Sequence, residues 1–449
     1  MKENRNKTIT IAITAASYSG NKGAAAMLQS SISQLLEAYG ERLDIRLMSV
    51  YPCEDRRQCP HACVTVVPAQ PQKLLFAAFP CAVLYRVAGR CAPVRALLRK
   101  NQILDTYLET DLVIDEAGIS FSDSRGFVMN TYAFVCMAVP MLLGVPAVKY
   151  SQALGPFHNV YNRLLAKLVL PGLKLILARG RLTKAHLCAA GICKNVHLCA
   201  DGAFSMPVDA SVRKRVQKKS GPAGKSRMAA LSVSSVVEKK CRKAGIDYCR
   251  IMAGFIRYLT NQGWQVFLFP NAARMHSAKP RNNDLMTGDA VAAAYWKQEN
   301  SAWKSGRKQL AGSFGSLRQT AGMQEGLIWE RREMDAEEIR ARIAQCEVLV
   351  ACRFHAMVFA LSEQVPVLLT GWSHKYQEVM EQFGLAEYAA DFSNLSLEGL
   401  CSSFDAFMEN QEEIRRRIKK HLPKVQESSR QNVRLIVKLL DELAAGRES

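Results

Sequence analysis

Arg353, His355 and Lys375 are the residues whose types and spacing most clearly offer chemistry. The first two stand in Cys352-Arg353-Phe354-His355-Ala356, the third in Gly371-Trp372-Ser373-His374-Lys375-Tyr376. Each stretch begins where an apolar run suited to a buried strand gives way to helical spacing. Two strand-to-helix junctions in succession bring the three side chains to one corner, and the helix N-termini turn their free N–H groups toward it. A guanidinium, an ammonium and an imidazole so placed favour a multiply charged anion. A histidine alone is ordinarily a packing residue; beside two cations it becomes a candidate for proton transfer.

Four other junctions carry polar groups. Ser17-Tyr18-Ser19-Gly20-Asn21-Lys22-Gly23-Ala24 lies between a first strand and a first helix. Its glycines permit tight turns and Lys22 adds charge, so Asn21, Lys22 and Gly23 are candidates for anion binding. It lacks the G-x-x-x-x-G-K-[ST] pattern of a Walker loop, and a plain turn explains it equally well. Asp115-Glu116-Ala117-Gly118 ends a buried strand, where a carboxylate can orient a sugar hydroxyl or act as a base. A helix cap or a buried ion pair is the alternative use. Ser151 and Gln152 end another strand and either bind a ligand or shape the turn. Arg179 leaves a third strand, suited to carboxylate or phosphate or to a structural pair with Asp201.

The elements that must position these residues alternate. Strand patterns run over residues 8–17, 43–50, 111–115, 147–152, 174–178 and 195–200. Helical patterns over 23–39, 94–108, 127–143, 161–170 and 181–190 separate them. After a basic stretch at 206–227 the alternation resumes with strands at 228–237, 265–270, 326–331, 347–351 and 365–370, and helices at 238–262, 335–344 and 354–362. Strands alternating with helices imply a parallel α/β sheet, here twice, and ligands in such sheets bind beyond the carboxyl ends of the strands. The expectation is two Rossmann-like domains facing a cleft, residues 1–205 and 228–396. Residues 206–227 form the linker, and a helical tail over 397–449 crosses back to the first domain. Residues 287–324, weak in periodicity, read as a mobile or partly helical excursion on the cleft side.

Composition narrows the class. Of 449 residues 49% are hydrophobic, and Lys plus Arg outnumber Asp plus Glu by 60 to 40, a formal charge of +20 that favours anionic partners. The 14 cysteines follow no disulfide spacing, and the N-terminal segment reads as a strand preceded by polar residues, which points to a reducing cytoplasm. Ala133–Val148, apolar for 16 residues and interrupted by Pro140, Gly144 and Pro146, falls short of the ~20 residues of a membrane span and reads as a buried helix and strand. Cys53, Cys59, His61 and Cys63 match no common zinc spacing, so no metal is expected. Lys73–Lys100 combines apolar bulk with five cations after Lys73, a stretch able to lie on an anionic membrane or to pack on the sheet. No zinc finger, RNP-like motif or aromatic-basic platform supports nucleic-acid binding.

Residues 352–380, CRFHAMVFALSEQVPVLLTGWSHKYQEVM, resemble the C-terminal motif of the polysaccharide pyruvyl transferase family, an Arg-x-His-Ala group followed by a Pro-Val strand and a Lys. SGNKGAAAML, SQALGPF, ARGRLTKAHLCAAGI and CADGAF fall in the family's order, and Asn283-Asp284 is similar to its asparagine-aspartate segment. The likeness covers most of residues 8–390. It implies a glycosyltransferase-B-like fold, no cofactor, and transfer from phosphoenolpyruvate to two hydroxyls of one sugar as a ketal. Arg353 and His355 map onto the family's donor-site pair. Two departures stand out: Asp115-Glu116-Ala117-Gly118 replaces a glycine-rich segment, and Asn271 stands where a histidine is common.

The reaction so implied needs a proton at the methylene carbon, attack by a hydroxyl, loss of phosphate and ring closure. His355 is the expected acid, Arg353 and Lys375 the clamp, and Glu116 or Asp115 the base or orienter. The acceptor is a sugar of an exported polysaccharide or its precursor, and a lipid-linked sugar would suit an enzyme working at the inner face of the cell membrane. A nucleotide-sugar glycosyltransferase on the same architecture, or a family member altered into a binding protein, are the alternatives.

Overall fold

The structure, a computed structural model, describes residues 8–219, 227–275, 283–306, 326–371, 374–391 and 395–446. Its contacts divide the chain into two compact units. The first comprises Met1–Ser19, Ala24–Pro207 and Lys424–Ser449; the second comprises Gly20–Gly23 and Val208–Pro423.

The first unit is built on β1 (Ile9–Thr14), β2 (Leu43–Ser49), β3 (Val64–Pro68), β4 (Leu112–Asp115), β5 (Ile119–Ser120), β6 (Ala147–Leu154), β7 (Leu175–Ala178) and β8 (Val196–Leu198). These pair in the order β3-β2-β1-β4-β6-β7-β8, with the short β5 against β6. All pairs are parallel; Ile11 of β1 lies opposite Ile45 on one side and Leu112 on the other. Helices cover both faces of a parallel sheet, so its central strands are apolar throughout and not alternating. Ile11, Ile13, Leu112, Val113 and Ile114 are fully buried.

The run expected over 127–143 forms the helix Gly126–Leu142, whose later turns bury Ala133, Val135, Met137 and Val139. It packs against the helices Phe79–Ala88 and Val160–Val169. By length and composition alone Asp123–Leu142 would reach across a bilayer. The single helix expected over 94–108 divides into Ala92–Leu98 and Gln102–Leu108, the second capped by Asn101 through the N–H groups of Ile103 and Leu104.

The second unit carries β9 (Met228–Val233), β10 (Gln265–Pro270), β11 (Leu327–Trp329), β12 (Val348–Ala351), β13 (Val367–Gly371) and β14 (Ala389–Asp391), in the order β11-β10-β9-β12-β13-β14. That is the doubly wound Rossmann order. The helix expected over 238–262 is two, Ser235–Lys243 and Tyr248–Asn261, because Gly245 at φ +75° ends the first in a conformation L-residues avoid. Of the 287–324 excursion, the first part belongs to a long helix, Leu285–Gly306, and 307–324 lies outside the described residues. Within the basic 206–227 stretch, Ala210–Lys219 is helical and packs on the helix Ala336–Ile343, while Arg213 holds Glu363 through two 2.9 Å hydrogen bonds. The last helix, Gln411–Ala445, contains Pro423. Beyond it, Ser429 Oγ donates to the Asp201 carbonyl at 2.8 Å and Asn432 Nδ2 to that of Ala200 at 2.9 Å, both in the first unit.

Candidate functional site

In each sheet the strand order reverses beside its first strand, between β1 and β4 and between β9 and β12. Such a reversal sends successive connections to opposite faces and leaves a crevice beyond the strand ends, where ligands bind. In the second unit the two strands at this point end in Ser234-Ser235 and in Cys352-Arg353. Ser234 caps its helix, its Oγ accepting the N–H of Val237 at 3.3 Å. Ser235 instead receives Arg353 Nη2 on its Oγ at 3.1 Å.

Arg353 is held by Asp284. The Arg353 Nε donates to the two Asp284 carboxylate oxygens at 3.0 and 3.2 Å, and Nη2 closes on Oδ1. The same carboxylate, fully buried, accepts the backbone N–H of Ser235 and of Ala272, both at 2.9 Å. One aspartate therefore gathers the segments following β9, β10 and β12. Its neighbour Asn283 closes the turn beside it, with Oδ1 accepting the N–H of Arg274 at 3.4 Å and of Leu285 at 3.3 Å.

Residues Gly20–Gly23 complete this corner, since they belong to the second unit by contact. Asn21 bridges Ala272, the Lys22 N–H donates to the Asn271 carbonyl at 3.1 Å, and the Ala273 N–H to the Gly20 carbonyl at 3.1 Å. Asn21 Oδ1 accepts the Gly23 N–H at 3.1 Å, which starts the helix Lys22–Tyr39. Lys22 is buried and its Nζ meets Glu333 at 2.6 Å. Gly23 lies against the His355 imidazole so closely that a Cβ there would stand 1.8 Å from Nδ1. Only glycine fits between the two segments.

His355 is the second residue of the helix Phe354–Ser362, whose N-cap, Arg353, makes no side-chain cap. That first turn lies at the positive end of the helix dipole. Lys375 sits over the Phe354 ring, Nζ 4.9 Å from its centroid. The buried Asn271 Oδ1 meets no hydrogen-bond partner. Arg353, His355, Lys375, Asn21, Lys22, Gly23, Asn283 and Asp284 thus form one connected cluster in the second unit. Two of its cations are already neutralised, Arg353 by Asp284 and Lys22 by Glu333.

The remaining candidates lie together in the first unit. Asp115 is enclosed: Lys149 Nζ donates to Oδ2 at 2.5 Å, and Gln152 Nε2 and the Ala117 N–H donate to Oδ1 at 2.7 and 2.9 Å. Lys149 is itself fully buried and also touches Ser120 Oγ at 3.3 Å. Asp115 and Gln152 therefore serve an internal ion-pair network. Ser151, at φ +49°, is buried and accepts the Gly202 N–H at 2.8 Å while donating to the Ala200 carbonyl. Arg179 Nη1 meets Asp201 Oδ2 at 2.6 Å, the structural pair.

Glu116 differs from all of these. It is 1% exposed, and neither carboxyl oxygen meets a hydrogen-bond partner of good geometry. Burial pushes its carboxyl up to about 8; the Ser31 hydroxyl offsets part of this and the nearby Asp115 charge adds to it. It is a protonated, ready-to-ionise acid beside the β1/β4 reversal.

Sequence reasoning missed Ser235, Glu333 and Lys149. The strand pattern over 228–237 spans Ser235, whereas β9 ends at Val233 and the paired serines that follow are a helix-cap signal. Glu333 and Lys149 carry no local signal, because their partners are 311 and 34 residues away. Cys59 and Cys63 are free thiols, and among the described residues no three His, Cys, Asp or Glu side chains are grouped to hold a metal ion.

Two doubly wound sheets define a protein of glycosyltransferase-B type. Solved structures agree: the Staphylococcus aureus ("S. aureus") MnaA–UDP co-structure is similar at TM-score 0.56, 12% identity and 97% coverage of both chains. A Rickettsia africae glycosyltransferase is similar at 0.54 and 10%, covering 98% of this chain and 99% of that one. The Neisseria meningitidis UDP-GlcNAc 2-epimerase bound to UDP-GlcNAc is similar at 0.53 and 10%, covering 96% and 100%. Such identities establish the fold alone. Within that class the chain belongs to the polysaccharide pyruvyl transferase family, whose model matches residues 21–374. Among curated proteins it is 26% identical over 86 residues to the amylovoran biosynthesis protein AmsJ of Erwinia amylovora, a match spanning about a fifth of each, 19% and 21%.

Proposed function

We propose that the chain transfers a pyruvyl group from phosphoenolpyruvate to two hydroxyls of a sugar, as a ketal. The observation that carries this reading is the gathering of Arg353, His355 and Lys375 at the first turn of the helix Phe354–Ser362, beside the β9/β12 reversal. Phosphoenolpyruvate brings a carboxylate and a phosphate, and cations beside the positive end of a helix dipole suit either. Lys375 supplies a cation beside that turn. Arg353 enters with two of its nitrogens fixed on Asp284 and Ser235, so its guanidinium plane is set before the donor arrives.

In the reaction, a proton is delivered to the methylene carbon and positive charge develops at the central carbon. A sugar hydroxyl attacks there, losing its proton; the carbon–phosphate ester bond breaks and phosphate departs with the electron pair. The second hydroxyl then adds to the same carbon and loses its proton, leaving the ketal and inorganic phosphate. His355 is assigned the delivery of the proton, and its position is held by the absence of a side chain at Gly23. Asp284 and Glu333 act as positioning residues for Arg353 and Lys22. Glu116 is assigned the hydroxyl proton on the acceptor side, since a carboxyl with its pKa near 8 gives and takes protons in the neutral range.

Phosphate release from phosphoenolpyruvate, measured over a panel of sugar acceptors with wild type, Arg353→Ala and His355→Ala, tests the reading. Acceptor-dependent release lost in both variants is the expected result. Thermal stabilisation by nucleotide sugars and none by phosphoenolpyruvate would replace it with a nucleotide-sugar glycosyltransferase.

A further inference from the structure

The first unit has a face that a water-exposed surface does not explain. Of the fifteen large apolar side chains that stand exposed among the described residues, nine lie on one row of helical elements. The turn Leu74–Ala78 runs into the helix Phe79–Ala88, which packs on Gly126–Leu142, which packs in turn on Val160–Val169. Each element has its own buried stripe. Leu74, Ala78 and Ala82 face the core, as do Leu165, Ala166 and Val169. The opposite stripe of a surface helix is ordinarily polar. Here it carries Phe76 at 74% exposure, Val87 at 80%, Val128 at 75% and Leu164 at 54%. On the Val160–Val169 helix the outward residues Val160, Leu164 and Leu168 recur every fourth position, one continuous ridge.

The charges on the same elements are of one sign. Residues 71–100 contain six Lys or Arg and no Asp or Glu; residues 126–175 contain four Lys or Arg and again no acid. Arg86, Arg90, Arg95, Lys100, Arg163 and Lys167 are exposed among the apolar side chains. The sequence showed this only for 73–100; the structure adds a third and fourth helix, distant in the chain, with the same character.

We propose that this face seats on an anionic lipid surface. Apolar side chains of this size enter the boundary between head groups and acyl chains, and the cations meet lipid phosphates. A second copy of the chain is a poor occupant, because a two-fold contact would set these cations against themselves. Nucleic acid would use the cations and leave the Val, Leu and Phe side chains unspent. The inference is independent of the donor chemistry and is read without substrate.

The test is flotation of the full chain with phosphatidylcholine vesicles containing about 30% phosphatidylglycerol, a composition that gives a strongly negative surface. Three triple variants are compared, each first checked for an unchanged melting temperature. They are Arg86→Gln/Arg90→Gln/Arg163→Gln, Val87→Ser/Val128→Ser/Leu164→Ser, and, as a charge-matched control on the Ala210–Lys219 helix, Lys214→Gln/Arg215→Gln/Lys218→Gln. A cation close to an anionic bilayer is worth about fivefold in partitioning, so the first variant is expected to bind roughly 100-fold more weakly. The second is expected to lose at least ~10-fold through its lost apolar burial, and the control to stay near wild type. Equal loss in the control would mean that overall charge alone drives binding, and would overturn the proposal. So would full binding by the apolar variant, transfer of the protein from vesicles to added duplex DNA, or a dimer that the apolar variant dissolves while vesicles bind neither form.

Discussion

Replacing Glu116 by Gln removes an ionisable proton from the core of the first unit at almost unchanged volume, and the consequence can be worked out in sign and size. An unfolded chain releases this proton near 4.5, whereas burial holds it in the folded state up to about 8. Between those values the unfolded state binds fewer protons than the folded one, so stability falls as pH rises, by about 1.4 kcal/mol for each pH unit. The contribution is fully present below about pH 4.5 and is lost as pH climbs through about 8, a total on the order of 5 kcal/mol. Glutamine is neutral throughout and lacks this dependence. Urea unfolding of wild type and Glu116→Gln should be followed by tryptophan fluorescence at about pH 5, 6 and 7. The difference between them cancels every other titration in the chain. It should move in favour of the variant by about 1.4 kcal/mol per unit, or nearly 3 kcal/mol across the range. A fixed offset of either sign is expected from packing the amide and carries no information. Parallel curves, with a difference that stays constant to within about 0.5 kcal/mol, would refute the reasoning and show that the Glu116 carboxyl ionises at an ordinary pH.

Two further outcomes follow from the same geometry. Gly23→Ala places a methyl within 1.8 Å of His355 Nδ1, so the ring or the segment must move; stability should drop by about 1–3 kcal/mol and turnover should fall further than substrate affinity, read as a fall in kcat exceeding any rise in KM. Lys149→Met strands the Asp115 carboxylate in a site where the two side chains are 0% and 1% exposed. It should cost about 3–5 kcal/mol in chemical denaturation, and adding Asp115→Asn should recover much of that loss, since removing both members of a buried pair is far milder than removing one.

The sequence carried the local half of this structure. Gln265–Pro270 and Phe354–Ser362 were legible to the residue, because an apolar run bounded by polar residues and a strand-to-helix change of period are both local signals. β3, five residues long at an edge of the sheet, has too little apolar length to stand out from a loop. The division of residues 238–262 hung on one glycine whose positive φ becomes visible only in three dimensions. At the candidate site the junctions holding Arg353, His355, Lys375 and Glu116 could be read. Which charges were already satisfied could not. Arg353 and Asp284 are 69 residues apart, and nothing near either one announces the other. The same limit applies to Asp115, whose role as the partner of Lys149 depends on two neighbouring strands, β4 and β6, being in register.

The way the first unit is assembled has a consequence for its biosynthesis. Its sheet is encoded before residue 200, yet the carbonyls of Ala200 and Asp201 are bonded by Asn432 and Ser429, and the Ala200 N–H by Ser428. The segment so fastened also holds Asp201 against Arg179 and Gly202 against Ser151. A ribosome that has released β1 to β8 has therefore made a half-finished object, which must wait through the translation of more than 200 further residues for its closing helix. At ~5–20 residues per second that interval is on the order of 10–40 seconds. During it the nascent chain exposes a helical face rich in Val, Leu and Arg, the kind of surface that chaperones or a nearby bilayer would meet first.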